Sequence, residues 1–381
     1  MKKIFTLCAL AIGVSLSASA QEEKLVVKPS GRILMDAGVM HAKEQSDKLN
    51  TGVAIPDLRL GVKATYGKWT GKVDVGFAYG QVSMKDINLD YNFDTSNLLR
   101  LGYFVHQFGL QSATSSSFKI TMEEPASNQA FFNSRLLGAM YVHSRGDFFG
   151  TASVFAESDA MKMTTDKLGN ESLGAMTRLV YRQLRHPGRL FHVGLSAATE
   201  APRYNSTAAL DHKSFTLKSP FPTRIANVTA VQATITEASQ LYKFSPELCF
   251  AQGRVGFEGQ YYYVHVNRNN NLPAYKAQGA YGAVRGLLKG RHYTYTETDC
   301  GIDTPAPGSM ELVAAYNYTD MSDHKADILG GRLNDWSLTY NYYLNKYMIW
   351  RVRASYTTTS DRAGYADNNF SILETRLQIK F

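Results

Sequence analysis

The chain has 381 residues, of which 44% are hydrophobic, 12% aromatic and 19% charged, and 41 Lys+Arg against 33 Asp+Glu give a formal charge of +8. This balance excludes a disordered polyelectrolyte, and three cysteines exclude a disulfide-rich scaffold. No apolar run reaches the roughly 18 residues that a membrane-spanning helix needs.

The first segment reads as an export signal. Lys2 and Lys3 precede an apolar stretch from Ile4 to about Leu16, and Ala18-Ser19-Ala20 stands before Gln21 as an A-x-A cleavage site. Removal of residues 1–20 leaves 361 residues and lowers the formal charge to +6. Cys8 leaves with the signal, and Cys249 and Cys300 remain, either paired in an oxidising compartment or free.

Residues 21–381 read as a single domain, because no Pro-, Gly- or Ser-rich linker divides them and what recurs throughout is alternation. Leu58, Leu60, Val62, Ala64 and Tyr66 alternate with Asp57, Arg59, Lys63 and Thr65 near the start. Trp336, Leu338, Tyr340 and Tyr342 alternate with Ser337, Thr339 and Asn341, and Trp350, Val352 and Ala354 with Arg351, Arg353 and Ser355. At the end, Leu373, Leu377, Ile379 and Phe381 alternate with Glu374, Arg376, Gln378 and Lys380. These are strands of about ten residues with one apolar and one polar face.

A soluble sandwich and a membrane barrel both use such strands, and the connections separate them. Short turns at Tyr66-Gly67-Lys68, Asp94-Thr95-Ser96-Asn97, Ser144-Arg145-Gly146-Asp147 and Leu344-Asn345-Lys346 alternate with long connections near 42–54, 106–134, 157–170, 201–224 and 358–369. Long loops on one side and short turns on the other are the pattern of an outer-membrane barrel. The expected fold is therefore all-β, a transmembrane antiparallel β-barrel of sixteen strands. They begin near 31, 55, 69, 82, 97, 135, 148, 171, 189, 232, 253, 275, 310, 334, 347 and 369. Two stretches resist this parse: 205–250, and 289–309, a twenty-residue segment on the short-turn side. Fourteen or eighteen strands are the alternatives.

The lipid decides which face is the lumen. An arginine on the lipid face at the bilayer midplane costs about 2–4 kcal/mol, so Arg351 and Arg353 are expected to point inward. The same test turns Arg59, Lys63, Arg100, Arg178, Arg182, Arg376 and Lys380 to the lumen, and about sixteen strands leave room for an aqueous channel. Some of these cations are expected in cross-strand pairs instead, Arg100 with Asp86 or Asp90 and Arg376 with nearby carboxylates such as Glu374.

Several segments are similar to one family. The run Met84-Lys85-Asp86-Ile87-Asn88-Leu89-Asp90-Tyr91 is followed by Leu99-Arg100-Leu101-Gly102-Tyr103-Phe104 and Gln107-Phe108-Gly109-Leu110. Then come Gln278-Gly279-Ala280-Tyr281, Gly308-Ser309-Met310-Glu311-Leu312-Val313, and the ending with Leu377-Gln378-Ile379-Lys380-Phe381. In this order they resemble the phosphate-selective porin O and P family. The resemblance implies a sixteen-stranded trimeric porin of the bacterial outer membrane, with outer-membrane lipid around it and small anions, phosphate among them, or other hydrophilic solutes passing through. It implies no cofactor and no metal.

The connection from His106 to about Ser134 would be the third external loop, which in porins typically folds into the channel. It offers Ser112, Thr114, Ser115, Ser116 and Ser117 as hydroxyls, Lys119 as a cation and Glu123 and Glu124 as anions; an ordinary surface loop is the plain alternative. Two mechanisms follow if it folds inward. Lys119 and Arg135 with the wall arginines would bind anions in succession, or Glu123 and Glu124 would face the basic wall and set up a transverse field. The competing functions are a plugged structural or adhesive barrel, an outer-membrane hydrolase and a nucleic-acid binder. No G-x-S-x-G, H-E-x-x-H or P-loop spacing supports an enzyme, and an exported chain does not meet nucleic acid.

Overall fold

A computed structural model describes residues 23–115, 118–132, 135–156, 173–186, 188–202, 213–297 and 300–381; the expected signal segment 1–20 lies outside them. In chain order the strands are β1 (Val26–Ala42), β2 (Gly52–Tyr66), β3 (Trp69–Gly76), β4 (Ser83–Asn92), β5 (Asn97–Phe104), β6 (Leu136–Arg145) and β7 (Phe148–Ala156). They continue with β8 (Leu173–His186), β9 (Arg189–Glu200), β10 (Phe215–Pro220), β11 (Thr229–Ile235), β12 (Ala238–Gln252), β13 (Val255–Arg268) and β14 (Tyr275–Lys289). The last are β15 (Tyr295–Thr296), β16 (Gly301–Ile302), β17 (Met310–Asp323), β18 (Ile328–Tyr342), β19 (Met348–Arg362) and β20 (Asn368–Lys380).

Sixteen of these close into one antiparallel barrel, and β10–β11 and β15–β16 form two separate small hairpins. Closure pairs β1 with β20, from Arg32 opposite Lys380 to Ala42 opposite Phe370. The tight turns carry glycine where the backbone must enter the left-handed region: Gly67 at φ +53° joins β2 to β3, and Gly253 at φ +58° joins β12 to β13.

Alternation sorts the side chains by solvent. Leu60, Leu101, Leu179, Leu338 and Leu373 are exposed on the outer wall, whereas the largest fully buried side chains include Arg178, Arg182, Arg285, Arg351, Arg353 and Arg376. Apolar outside and charged inside is the reverse of a soluble protein and fits a barrel set in lipid. No helix among the described residues is long and apolar enough to cross a membrane. Trp336, Tyr316 and Tyr356 form one outward aromatic cluster, with neighbouring ring centroids 5.2 and 6.3 Å apart.

Four expected strand starts move by three residues or more. β1 begins at Val26 rather than 31, because its first residues pair with β2 alone, past the end of β20. β2 begins at Gly52 rather than 55. Residues 229–235 are a strand, but one of the β10–β11 hairpin, so the wall strand placed at 232 is β12 from Ala238. β18 starts at Ile328, six residues early, where Gly330-Gly331 breaks the alternation; Gly331 has φ +99°, and a Cβ on Gly330 would stand 2.8 Å from Ala233 Cβ of the hairpin. The long segment 290–309 does lie on the short-turn side and carries β15–β16. Cys249 and Cys300 are both free and buried.

The two faces differ in what they tolerate. Leu338→Arg places a cation in lipid and is expected to lower unfolding stability in lipid vesicles by about 2–4 kcal/mol. Lys63→Leu, at the exposed short-turn end, is expected to stay within about 0.5 kcal/mol. Urea titration followed by tryptophan fluorescence reads both.

Candidate permeation pathway

Three connections fold into the barrel, each fastened by inward-facing charges. The 105–135 connection, with helices α1 (Gly109–Ala113) and α2 (Ala126–Phe131), runs against the wall of β12–β20. Gly109, at φ +80°, admits this approach: a Cβ there would stand 1.7 Å from Gln260 Nε2. Gln111 Nε2 donates to Glu258 and to Tyr281 Oη, both at 2.9 Å, and Tyr262 Oη donates to Asn128 Oδ1 at 2.8 Å. Ser127 Oγ donates to Asn317 Oδ1 at 2.7 Å, and Asn341 Nδ2 to the Ile120 carbonyl at 2.9 Å. At its midpoint Arg376 donates to Asp36 at 2.7 Å, to the Met122 carbonyl at 2.6 Å and to the Glu123 carboxylate. Burial opposes ionisation of Glu123, but the Arg376 and Arg224 guanidiniums outweigh it and hold the carboxyl below its usual range.

The 201–237 connection brings in β10–β11 beneath β17–β19. Arg353 donates to the Pro222 carbonyl at 2.8 Å and to Glu374 and Asp335 at 3.0 Å each, while Arg224 reaches Glu123 at 3.2 Å. From the opposite end, the 290–309 segment is held by Arg178, which donates to the Cys300 carbonyl at 3.0 Å and to Glu247 at 2.6 Å. Arg182 contacts Cys300 Sγ at 3.1 Å, Tyr293 donates to Glu311 at 2.7 Å, and His192 bridges Tyr295 Oη and Glu247 at 2.8 and 2.7 Å.

These contacts reassign half of the expected channel residues. Arg178, Arg182, Arg351, Arg353 and Arg376 point inward, yet each is at most 2% exposed, beneath an infolded segment. They fasten the filling of the barrel and do not face open space. Arg376 does pair across the strands, but with Asp36, directly opposite on β1, and with Glu123 rather than with Glu374, which serves Arg353. Lys119 is also buried, its ammonium on the Gln111 carbonyl and side chain and 3.6 Å from Glu124, and its own carbonyl accepts from Arg351. Ser116 and Ser117 lie outside the described residues.

What stays open is a cavity of about 650 Å³ between the 105–135 segment and β1–β5. Apolar grooves on the outer wall, one of about 820 Å³ between Val284 and Tyr356, face the lipid and have no charged lining. Seven cations line the inner cavity, Arg32, Arg59, Lys72, Arg100, Lys119, Arg135 and Lys380, against the three carboxylates Asp74, Asp86 and Glu124. The carboxylates are shared. Asp57 holds both Arg32 and Arg59, the latter at 3.1 Å, and Asp86 holds Lys72 at 2.7 Å and Arg135 at 2.8 Å. Arg100 pairs with Asp90 through two bonds of 2.8 Å. Lys380 sits over the Phe118 ring at 3.7 Å. Towards the short-turn end, Lys28, Lys63 and Lys72 stand directly opposite one another on β1, β2 and β3.

Sequence reasoning placed Arg59, Arg100, Lys119 and Arg135 here and missed Arg32 and Lys72. Both sit on strands whose alternation carries the signal: Arg32 follows Ser30 on the inner face of β1, and Lys72 lies between Thr70 and Asp74 on β3.

A family model described as phosphate-selective porin O and P matches residues 27–381. The chain belongs to that family. It is an outer-membrane porin, with its long loops outside the cell and its short turns in the periplasm. Solved structures with the same fold include OmpT of Vibrio cholerae, at 10% identity and TM-score 0.60, covering 96% of this chain and 99% of that one. An in-vitro folded trimer form of OmpT has 12% identity and TM-score 0.56, covering 94% and 99%. An anion-selective porin from Comamonas acidovorans has 10% identity and TM-score 0.58, covering 94% and 100%. No curated protein matches the porin at a significant level.

The Arg376 lock is testable. Removing one member of a buried pair strands the other, at about 3–5 kcal/mol. Glu123→Ala is therefore expected to release the 105–135 segment, raising single-channel conductance and current noise and lowering the temperature at which the barrel unfolds on electrophoresis.

Proposed function

We propose that this porin is a passive channel for small hydrophilic solutes with preference for anions, inorganic phosphate among them. The observation that carries this is the surplus of cations on the open cavity, where Asp86 on the lining is divided between Lys72 and Arg135, and Asp57 beside it between Arg32 and Arg59. An anion entering there meets guanidiniums that share their carboxylates, Arg32 and Arg59 on Asp57 and Arg135 with Lys72 on Asp86, and paired N–H groups match the oxygens of a phosphate. Arg32, Arg59, Arg100 and Arg135 are the residues assigned to this surface, with Lys72 and Lys380 further in. Lys28 and Lys63, exposed at the periplasmic end, extend the basic track, since like charges set directly opposite one another are otherwise unfavourable. Lys119 acts as a strut of the constriction, and Glu124 lines the constriction as its acid.

The infolded segments favour a second reading, a plugged structural barrel. Recording in planar bilayers separates the two. Conductance with a reversal potential towards chloride in a salt gradient, and chloride current reduced by added phosphate, is the expected result. Absence of any conductance leaves the plugged barrel, and a reversal potential near zero removes the anion preference.

The porin works as a homotrimer in this reading, in contact through β3–β7. These strands have 8–10 residues, whereas β12–β14 and β17–β20 have 13–15. Eight residues tilted by about 45° rise only roughly 19 Å, short of a hydrocarbon core of about 25–30 Å. A second copy would shield that shortfall from lipid. A fluorophore at Leu101→Cys on β5 is expected to be shielded from brominated lipid, and one at Leu338→Cys on β18 to be quenched. Equal quenching would move the contact elsewhere.

A further inference from the structure

We propose that the irregularity between β3 and β4 builds an oxyanion-capture site at the outer end of the passage, with the Lys85 ammonium as its uncommitted cation. The proposal rests on the reading of the porin as an anion channel and adds a residue that the alternation rule assigns to the wrong face.

The pairing of β3 with β4 runs Val73 opposite Ile87 and then Val75 opposite Met84, so Lys85 and Asp86 together oppose the single residue Asp74. This is a β-bulge, which re-aims side chains by inserting one residue into one strand. A regular strand continuing from the inward Asn88 and Asp90 would turn Asp86 in and Lys85 out. With the bulge both enter the lumen. The Lys85 stem lies across Gly76, the next inward position of β3 after Lys72 and Asp74: a Cβ on Gly76 would stand 2.4 Å from Lys85 Cε.

The charges around Lys85 leave it without compensation. Asp86 is committed to Lys72 and Arg135. Besides Asp86, the charges that weigh most on Lys85 are Arg135, Arg59, Asp57 and Arg224, and Asp57 is already shared by Arg32 and Arg59. Among the described residues Lys85 has no hydrogen-bond or ion-pair partner. Arg59 belongs to the wall, Arg135 to the end of one infolded segment and Arg224 to another, so the site is assembled only when both segments are in place. Arg59, Arg135 and Arg224 each hold a carboxylate, Asp57, Asp86 and Glu123, so the charge left unmatched among the four cations is that of Lys85. A small oxyanion has the several acceptor oxygens that such a group requires.

The test is block of chloride current by inorganic phosphate added to the outer side of the intact porin. Losing one charge-assisted contact is expected to raise the half-blocking phosphate concentration about tenfold in Lys85→Met. Lys85→Arg, which restores the charge, is expected to recover the original value within about twofold. Gly76→Val, which pushes the Lys85 stem aside without touching its charge, shifts the block in the same direction and serves as a second route should Lys85→Met assemble poorly. Unchanged block in both Lys85→Met and Gly76→Val overturns the capture site and leaves the channel reading intact. A parent porin whose chloride current phosphate never reduces overturns the capture site and removes phosphate from the proposed solutes, while the channel itself stands on its conductance and reversal potential.

Discussion

The structure turns on charge that cannot face outward. A barrel wall bathed in lipid sends its arginines inward, and an inward guanidinium buried beneath protein must be matched by carboxylate or carbonyl oxygens. Arg376 is the clearest case, joining Asp36 of the neighbouring strand to Met122 and Glu123 of the segment that crosses the lumen. Such a buried network adds little net stability over an apolar packing of the same shape. Its geometry, however, admits one position of the segment and penalises the others, which gives a narrow pathway a defined shape.

The same requirement divides the lumen. Along β8–β20 the inward charges are consumed by the three infolded segments: Arg178 and Arg182 by 290–309, Arg353 by 201–237, Arg351 and Arg376 by 105–135. That side is dry. Along β1–β5 the cover is only partial: Arg32 reaches Ser115 of the 105–135 segment at 3.3 Å and Ile225 lies beside Gly38, while Arg32, Arg59, Lys72 and Arg100 line an open cavity.

Much of this architecture was legible in the sequence. The period-two pattern reveals the strands, and the cost of an arginine in lipid orients Arg351 and Arg353 without reference to any other residue. Whether an inward arginine meets water or protein is not local information: Arg376 and Glu123 are 253 positions apart, and nothing near either announces the other. Residues 229–235 were misassigned for a related reason, since a strand lining a lumen hairpin and a strand of the wall share the same alternation. The bulge at Lys85 and Asp86 defeats the rule from the opposite direction. One inserted residue changes the face of its neighbour while the composition stays the same.

Sharing of carboxylates also bears on speed. A wall of bare cations would hold an oxyanion too long, because conduction requires binding strong enough to admit the ion and weak enough to release it. Asp57 between Arg32 and Arg59, and Asp86 between Lys72 and Arg135, keep each cation partly occupied. An entering anion gains only the difference between its own contacts and those it displaces. The carboxylates on the pathway therefore do not contradict an anion preference. They lower the depth of each binding step while the surplus of cations keeps its sign, and a solute can be passed from one partly satisfied guanidinium to the next.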